Sequence, residues 1–236
     1  MPSKHKPTVF HGQRGEYIFE RVIYEGAWNY QDSLDSEKET KGLPRFGIIC
    51  RYAYPGFLGP RVIFKACCQD ELLLNPKYAD ILAHPSFPHL IEHGTMRKRR
   101  FNPNGDIKYL IQEYVEGESL DSLIINQGDQ REILHVLVGL LDGLSYLHKN
   151  GLTLRDIKPS DIIWEPGWNT RLVDLDSLQN IDHPAEHFQF SKRFTPPESI
   201  ASGIYTPEDN LYTVGLIFLY AVLKRFRLGN AVTEAK

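Results

Sequence analysis

The most constraining feature of this sequence is a long apolar stripe at helical spacing that leads into a short, densely charged segment. Apolar residues recur every three or four positions and so line one face of an α-helix; they are Ile133, Leu134, Leu137, Leu140, Leu141, Leu144 and Leu147. Soon afterwards, residues 154–161 (Leu-Arg-Asp-Ile-Lys-Pro-Ser-Asp) place two acids and two bases within eight positions. The pattern predicts a helical domain that presents a polar site on a connecting segment.

The first third of the chain is β-rich, whereas the later part is helical. β-branched and aromatic residues are concentrated at 17–24, 46–54, 61–67, 90–95 and 107–114, which predicts five strands. Asn75-Pro76 predicts a short helix to about residue 83, and a final helix is predicted over 210–224. Short β-like pieces at 162–164 and 171–173 interrupt the helical part. We therefore expect an α+β, two-lobed chain with a small β-rich lobe and a mainly helical large lobe, and clefts between lobes are favoured ligand sites.

The composition argues against several classes of function. With 27 basic and 30 acidic residues the net charge is −3, which does not indicate a nucleic-acid-binding protein. The start of the sequence lacks the apolar core of a signal peptide, and the apolar run at 214–223 is too short to span a bilayer. Three cysteines, Cys50, Cys67 and Cys68, favour buried thiols in a reducing compartment over a disulfide framework or a metal site. We expect a cytoplasmic protein with no membrane partner.

Residues 154–161 resemble the catalytic loop of the protein kinases, H-R-D-L-K-P-x-N. The resemblance implies that Asp156 accepts or orients the proton of the substrate hydroxyl and that Lys158 neutralises the transferring phosphoryl group. Asp161 stands where the family has a metal-binding Asn. Lys-Pro after the Asp is typical of Ser/Thr kinases rather than Tyr kinases. Taken alone, the segment is also compatible with a helix end followed by a charged turn.

A second segment lies at the distance from Asp156 that the family shows. Residues 171–173 form an apolar strand that leads into Asp174, 18 residues after Asp156, and resemble the strand before D-F-G. The resemblance implies that Asp174 chelates Mg²⁺ (or Mn²⁺) between the phosphates of ATP, with Asp161 as a second metal ligand. ATP and a divalent cation are therefore the expected cofactors.

The β-rich lobe carries a set of residues that resembles the ATP-binding set of the family. Val-Ile-Phe-Lys at 62–65 resembles V-A-I-K, so Lys65 is expected to hold the α- and β-phosphates. An ammonium in an apolar strand needs an anion, although an edge-strand lysine with its head in water is the alternative. Residues 42–49 resemble the glycine loop, with Pro44 in place of one glycine. The resemblance assigns ATP contacts to Lys65, Gly42, Gly47, Ile49, Ile63, Glu113, Val115 and Ile163.

Two later segments follow in the order of the family. Phe-Thr-Pro-Pro-Glu at 194–198 resembles the A-P-E end of the activation segment, which includes Glu198. Ser191 occupies the position of a Thr that bonds the catalytic Asp and Lys. Residues 209–215 resemble D-V-Y-S-L-G, which implies that Asp209 braces the catalytic loop.

Arg155 in the Arg-Asp pair resembles an arginine that in many kinases faces a phosphate on the activation loop. Residues 178–190 contain no Ser, Thr or Tyr, but they do contain Asp182 and Glu186. We hypothesise that one of these acids pairs with Arg155 constitutively. The alternative is that both acids lie in water.

Several positions depart from the family pattern. Leu154 replaces His, and Asp176 replaces the last Gly of D-F-G. Ile63 stands where a small Ala normally covers the adenine, so it narrows that slot. No Glu is in register to pair with Lys65, and Asp80 is the best substitute.

The chain also stops soon after the helix predicted at 210–224, so the large lobe is expected to be shortened. Glu198 would then lack its usual Arg partner, and the exposed last helix could contact a partner or a second copy. We expect residues 1–16 to be a flexible tail, 17–115 the small lobe and 116–236 the large lobe.

The predicted function is transfer of the ATP γ-phosphate to Ser or Thr hydroxyls of protein substrates. A pseudokinase that binds nucleotide or acts as a scaffold is the alternative, favoured by Pro44, Ile63 and the missing Glu. A kinase-fold enzyme acting on a small molecule is a third hypothesis, and it fits Ser191 and the Pro-Pro-Glu segment less well.

Overall fold

The computed structural model describes residues 9–27, 44–54, 57–66, 78–96, 107–126, 128–165, 167, 169–182, 191 and 193–233. The chain divides into two compact units, residues 1–74 with 89–114 and residues 75–88 with 115–236. Segment 75–88 therefore groups with the helical unit and not with the predicted small lobe. The reason is its bonding, because the carbonyls of Ser86 and Phe87 accept hydrogen bonds from Leu172 N–H and Arg171 Nη2, each at 2.8 Å.

The first unit is one antiparallel sheet of six strands. They are β1 (Val9–His11), β2 (Glu16–Ala27), β3 (Pro44–Tyr54), β4 (Phe57–Ala66), β5 (Leu90–Met96) and β6 (Ile107–Glu113), in the spatial order β1-β2-β3-β4-β6-β5. Each of the five predicted strands overlaps one of these, because β-branched and aromatic residues fit a pleated, half-buried surface. Strand β1 was not predicted.

The two faces of this sheet carry different sets of side chains. One face carries the apolar core, in which Phe64 and Tyr109 stack with their ring centroids 5.3 Å apart. Successive residues of a strand point to opposite faces. Ile63 and Lys65 therefore lie on the other face, where they stand opposite Ile49 and Gly47 in register.

A buried carboxylate fixes the N-terminal turn to the far edge of this sheet. Glu92 on β5 is 5% exposed and accepts hydrogen bonds from the N–H groups of Gln13 and Arg14 at 2.9 and 2.7 Å. The hydroxyls of Tyr17 and Tyr109 donate to the same carboxylate at 3.0 Å each. Because Gln13 and Arg14 form the turn between β1 and β2, the prediction of a flexible tail over residues 1–16 is wrong for residues 9–16.

The two tyrosines remain donors over the whole working range of pH. Burial, reinforced by the hydrogen bond to Glu92, raises the pKa of Tyr109 to about 12, and the same causes raise the pKa of Tyr17. Gly12 leaves room for the carboxylate, since a Cβ there would lie 2.2 Å from a Glu92 oxygen.

The second unit is mainly helical, with short strands around its centre. Its elements are α1 (Ala79–Leu82), β7 (Glu118–Ser119), α2 (Leu120–Ile125), α3 (Gln130–Lys149), β8 (Leu152–Leu154), β9 (Ile162–Glu165), β10 (Asn169–Leu172), β11 (Leu178–Asn180), α4 (Pro197–Ser202) and α5 (Pro207–Thr233). The helix predicted to residue 83 is α1, and residues 75–77 lie outside the described part. The last predicted helix lies within α5, and the two β-like pieces are β9 and β10.

Helix α3 begins with a capping box and buries one stripe. The Asp129 side chain accepts from Arg131 N–H at 2.9 Å, and the Glu132 side chain accepts from Asp129 N–H at 3.2 Å. The buried stripe is Ile133, Val136, Leu137, Leu140, Leu144 and Leu147. Leu134 and Leu141 were predicted on this face but are exposed, because each is rotated by roughly 100° from the buried residue before it.

Helix α5 has a partly exposed apolar surface, as expected. Leu211, Phe218, Leu219 and Leu223 are all exposed. The expected contact between this surface and a partner or a second copy stays a prediction. Over the described residues, no helix combines the length and the apolar character that crossing a membrane requires.

We predict that Glu92→Gln lowers the free energy of unfolding by about 2–3 kcal/mol, because an amide NH₂ would oppose at least one of the four donors that converge there. Tyr17→Phe removes one donor and leaves the carboxylate otherwise bonded, so it should cost about 1 kcal/mol. Urea unfolding measures both values. A Glu92→Gln variant as stable as the wild type would contradict the anchoring of the turn.

Candidate functional site

The second unit contains two antiparallel strand pairs, and in sequence one pair lies between the two strands of the other. The residues predicted to be catalytic or metal-binding lie on the segments that connect the two pairs. Strands β9 and β10 form the inner pair, in which Ile162 lies opposite Leu172. Strands β8 and β11 form the outer pair, in which Leu154 lies opposite Leu178. The chain passes between the pairs twice, along residues 155–161 and 173–177. These two connections carry all the residues predicted to be catalytic or metal-binding.

Backbone hydrogen bonds hold the two connections side by side. Val173 N–H donates to the Asp161 carbonyl at 2.9 Å, which places the next residue, Asp174, beside Asp161. The first connection ends in a single 3₁₀ turn (Pro159–Asp161). Pro159 favours the start of this 3₁₀ turn, because its fixed φ suits the first position of a helical turn.

The ammonium of Lys158 lies between two carboxylates. Its Nζ is 3.1 Å from Asp161 Oδ2 and 3.6 Å from Asp156 Oδ2, and both acidic side chains are only 13% exposed. Burial lowers the pKa of Lys158, but the charges of Asp161, Asp156 and Asp174 outweigh it and raise the pKa above its usual value. Lys158 is therefore a cation at neutral pH.

The charge of the Asp161 carboxylate is poorly compensated inside the cluster. Burial, followed by the charge of Asp174, raises the pKa of the Asp161 carboxyl from 3.8 to about 7, although Lys158 acts in the opposite direction. A cation bound beside this carboxyl would stabilise its ionised form.

One oxygen of Asp156 has an unused hydrogen-bonding capacity. Within the described residues, Asp156 Oδ1 is buried and has no hydrogen-bond partner. A buried acceptor without a donor costs about 1–3 kcal/mol, and an incoming hydroxyl would supply the missing donor. Because this oxygen is covered, a hydroxyl reaches it only after neighbouring groups move.

Asp161 and Asp174 suit Mg²⁺ held together with a nucleotide. Mg²⁺ is usually bound by one or two protein carboxylates, and phosphate and water oxygens complete its octahedron. Across the part of the chain that the structure describes, no group of three or more His, Cys, Asp or Glu side chains is arranged as a metal site. The donor set therefore fits a metal shared with phosphates rather than one caged by the protein alone.

Ser177, which the sequence did not single out, contacts both residues of the Arg-Asp pair. Its carbonyl accepts from Arg155 N–H and Arg155 Nε–H at 3.2 Å each, and its Oγ accepts from Asp156 N–H at 3.0 Å. Asp182 is exposed, and Glu186 lies outside the described residues. The constitutive pairing of Arg155 with one of these two acids stays a prediction.

A fully buried amide on α5 fixes the start of the first connection. Asn210 Oδ1 lies 2.8 Å from His148 Nε2 and accepts from Thr153 Oγ1 at 2.7 Å. Asn210 Nδ2 donates to the Leu154 carbonyl at 2.6 Å and to the Tyr205 hydroxyl at 3.1 Å. The side chain therefore joins α3, β8 and the segment before α5.

This arrangement corrects the role predicted for Asp209. The Asp209 carboxylate instead accepts from Thr206 N–H at 2.7 Å and caps the start of α5. The motif D-V-Y-S-L-G has six residues, whereas seven were matched to it. Counting back from Gly215 places Asn210 at the position of the motif's Asp, so this signal was present in the sequence.

The segment before α4 contains hydrogen bonds between its own backbone groups. The Ser191 carbonyl accepts from Phe194 N–H at 2.9 Å and from Thr195 N–H at 3.2 Å, and Phe194 accepts in turn from Thr213 Oγ1 at 2.8 Å. None of the hydrogen bonds of the described residues joins Ser191 to Asp156 or Lys158, which corrects the predicted contact. Glu198 is exposed in the first turn of α4.

In the first unit, four of the predicted ATP contacts, Gly47, Ile49, Ile63 and Lys65, share one face of the sheet. Lys65 is 6% exposed and lies opposite Gly47, and the buried Ile63 lies opposite Ile49. Residues 44–49 of the predicted glycine loop belong to β3, paired with β2, and Gly42 lies outside the described residues. The extra carbons of Ile63 are therefore on the same face as Lys65, as the steric argument requires.

The remaining predicted contacts are divided between the units. Glu113 ends β6, and its N–H already donates to the carbonyl just before β5 at 2.9 Å. Val115 is buried in the second unit, Ile163 lies on β9, and Asp80 is exposed on α1. The adenine contacts and the pairing of Asp80 with Lys65 stay predictions.

The family model described as "Protein kinase domain" matches residues 79–235. The chain is 30% identical over 148 residues to the SNF1-related protein kinase catalytic subunit alpha KIN12 of Arabidopsis thaliana, which covers 61% of this chain and 28% of the relative. It is 26% identical over 146 residues to the serine/threonine-protein kinase PrkC of Bacillus subtilis, which covers 59% of this chain and 21% of the relative. The chain thus matches between a fifth and a third of the length of these curated relatives.

A solved structure shows the same fold. The Cydia pomonella granulovirus kinase PK-1 superposes with a TM-score of 0.57 at 18% sequence identity, over 72% of this chain and 61% of the viral chain. At this identity the likeness concerns the fold alone.

We predict that Asp161→Asn stabilises the metal-free protein at pH 8 but hardly at pH 4. The folded-state pKa of about 7 lies above the value of 3.8, so ionisation of this carboxyl destabilises the fold progressively from about pH 4 to pH 7 and fully above pH 7. Removing the charge should add about 2 kcal/mol to the free energy of unfolding at pH 8. Urea unfolding in EDTA at both pH values measures the difference.

The matched control is Asp142→Asn, an exposed residue of α3, which should change stability at neither pH. An equal gain for Asp161→Asn at pH 4 and pH 8 would contradict the charge repulsion.

Proposed function

The chain belongs to the protein kinase domain family, and from this premise we propose that it transfers the γ-phosphate of ATP to Ser or Thr hydroxyls of protein substrates. Members of this family use ATP and Mg²⁺ and act on proteins. The proposal extends these general properties to this chain.

Phosphate transfer is supported mainly by one cluster of charged residues. In this cluster Lys158 bridges Asp156 and Asp161, and Asp174 lies beside them. A network that only stabilised the fold would be expected to balance its charges and satisfy its acceptors. This one leaves the Asp161 carboxyl with a pKa raised by burial and by Asp174, and Asp156 Oδ1 without a donor among the described residues. Both features are what a site for a cation and a hydroxyl requires.

Each residue of the cluster has a distinct role in this proposal. Asp156 orients the substrate hydroxyl and accepts its proton, which goes to the unpartnered Oδ1. Lys158 places a positive charge beside the phosphoryl group in transfer. Asp161 and Asp174 would hold Mg²⁺, which when bound neutralises charge on the phosphate oxygens. Lys65 on β4 would hold the α- and β-phosphates.

Two observations support Ser/Thr specificity. Lys158 is followed by Pro159, and Lys-Pro after the Asp is the form that the resemblance associates with Ser/Thr kinases. Two of the similar proteins are named serine/threonine-protein kinases, one from Bacillus subtilis and one from Synechocystis.

A pseudokinase is the second candidate, favoured by the position of Ile63. Its side chain lies on the sheet face of Lys65, where the resemblance places the adenine slot. In that case the Asp156 cluster would bind a nucleotide without transferring phosphate.

We also propose a reducing, cytoplasmic location, which the free buried thiol of Cys50 supports.

Asp156→Asn should abolish phosphate transfer while leaving nucleotide binding nearly intact. The carboxylate acts on the hydroxyl in the transition state, so its loss should lower kcat by about 10²–10⁴-fold and change the Kd for ATP by less than about threefold. Transfer of radiolabelled phosphate to a degenerate Ser/Thr peptide library, with Mg²⁺ or Mn²⁺, measures the first effect. Equilibrium binding of a fluorescent ATP analogue measures the second.

Asp142→Asn serves again as the matched control and should retain full transfer. Equal transfer by the wild type and Asp156→Asn would remove the catalytic role. Nucleotide binding without any transfer by the wild type would select the pseudokinase.

Ile63→Ala should tighten ATP binding by roughly three- to tenfold if the side chain narrows the adenine slot, because removing buried methyl groups opens space at a cost to the core of about 2–4 kcal/mol. Ile111→Ala is the control, because it opens a cavity in the apolar core on the opposite face of the sheet and should leave the affinity unchanged. Unchanged affinity in Ile63→Ala would show that the steric argument is wrong.

A further inference from the structure

The hydroxyl of Ser177 supplies a hydrogen bond that the local secondary structure lacks. The ladder between β8 and β11 ends where Leu154 pairs with Leu178. Asp156 lies two residues beyond that end, and its N–H donates to Ser177 Oγ at 3.0 Å. Backbone donors inside a protein need a partner, and here a side chain provides it.

Ser177 holds the Arg-Asp pair through two different groups. Its carbonyl accepts both hydrogen bonds from Arg155, and its Oγ accepts the one from Asp156. The carbonyl exists whatever residue stands at this position, whereas the Oγ belongs to serine. The hydroxyl is therefore the part of this contact that a substitution can remove alone.

The geometry of Asp156 gives this bond its importance. Its carboxylate has one oxygen 3.6 Å from Lys158 Nζ and the other without a donor among the described residues. The position of the carboxylate depends on the orientation of the Asp156 backbone as well as on the side-chain torsions of Asp156. A displacement of about 1 Å at a reacting group can cost on the order of 10²-fold in rate.

We propose that Ser177 is a positioning residue for Asp156, and that its hydroxyl fixes the backbone from which the catalytic carboxylate is presented to the substrate. Ser177 is 4% exposed and touches no reacting atom in this arrangement, so it acts through Asp156. The inference rests on the proposed phosphate transfer for its kinetic part, and on the Asp156 N–H hydrogen bond for its structural part.

The test compares Ser177→Ala, which removes the acceptor, with Ser177→Cys, which keeps the size of the side chain but is a weak acceptor. Ser177→Thr keeps the oxygen and tests rescue. Ser199→Ala is the matched control, because Ser199 is equally buried in the same unit and lies on α4. Urea unfolding of each variant confirms that it is folded.

Two measurements decide the outcome. We expect kcat to fall about 10- to 100-fold in Ser177→Ala and less in Ser177→Cys, with the KM for ATP within about twofold, and Ser177→Thr to restore most of the rate. Amide hydrogen exchange by NMR should be about tenfold faster at Asp156 in Ser177→Ala and unchanged at Arg155, whose bond goes to the backbone carbonyl.

Unchanged exchange at Asp156 overturns the inference whether or not the chain transfers phosphate. Faster exchange with an unchanged kcat, or an equal loss of kcat in Ser199→Ala, overturns its catalytic part. A wild type without transfer, combined with faster Asp156 exchange in Ser177→Ala, overturns the proposed function and keeps the positioning of Asp156 by the hydroxyl. If Ser177→Ala does not fold, the same criteria apply to Ser177→Cys.

Discussion

Both polar ends of the Asn210 side chain are engaged inside the second unit, where the residue is fully buried. Its oxygen is shared by His148 and Thr153, and its nitrogen by the Leu154 carbonyl and Tyr205. Buried polar networks of this kind are worth most when every member is satisfied, because each unpaired group costs as much as a lost bond. The network therefore fixes the end of α3, strand β8 and the start of α5 relative to one another. That arrangement determines where the connection formed by residues 155–161 begins.

Two buried carboxylates in this protein illustrate two uses of the same chemical group. Glu92 accepts hydrogen bonds from four donors, and these bonds fix the turn between β1 and β2. Asp161 is buried near other acids, and its pKa of about 7 reports that its charge is poorly compensated. A satisfied carboxylate stabilises the fold, whereas an undercompensated one is able to bind a cation.

The sequence predicted the elements whose signals are local. Strand propensities located five of the six strands of the first sheet, and the leucine periodicity located α3. The Asp156, Lys158, Asp161 and Asp174 cluster was predicted because the family spacing is ordered along the chain. Glu92 and Ser177 were not, since their contacts join residues far apart in sequence and neither belongs to a motif. The contact with residues 154–161 was predicted for Asp209 but is made by Asn210, through the Leu154 carbonyl, because the motif was aligned one residue out of register.

The nesting of the two strand pairs has a consequence for the order in which this region folds. The ends of the inner pair, β9 and β10, are close in sequence, so their contact needs little loop closure, whereas β8 and β11 are separated by the whole inner pair. Once the inner pair has formed, it shortens the effective loop that the outer pair must close. The two connections that lie between the pairs are then the last segments to become ordered. A chain that is already compact can therefore still lack the arrangement of Asp156, Lys158, Asp161 and Asp174, and this cluster is expected to form later than the secondary structure around it.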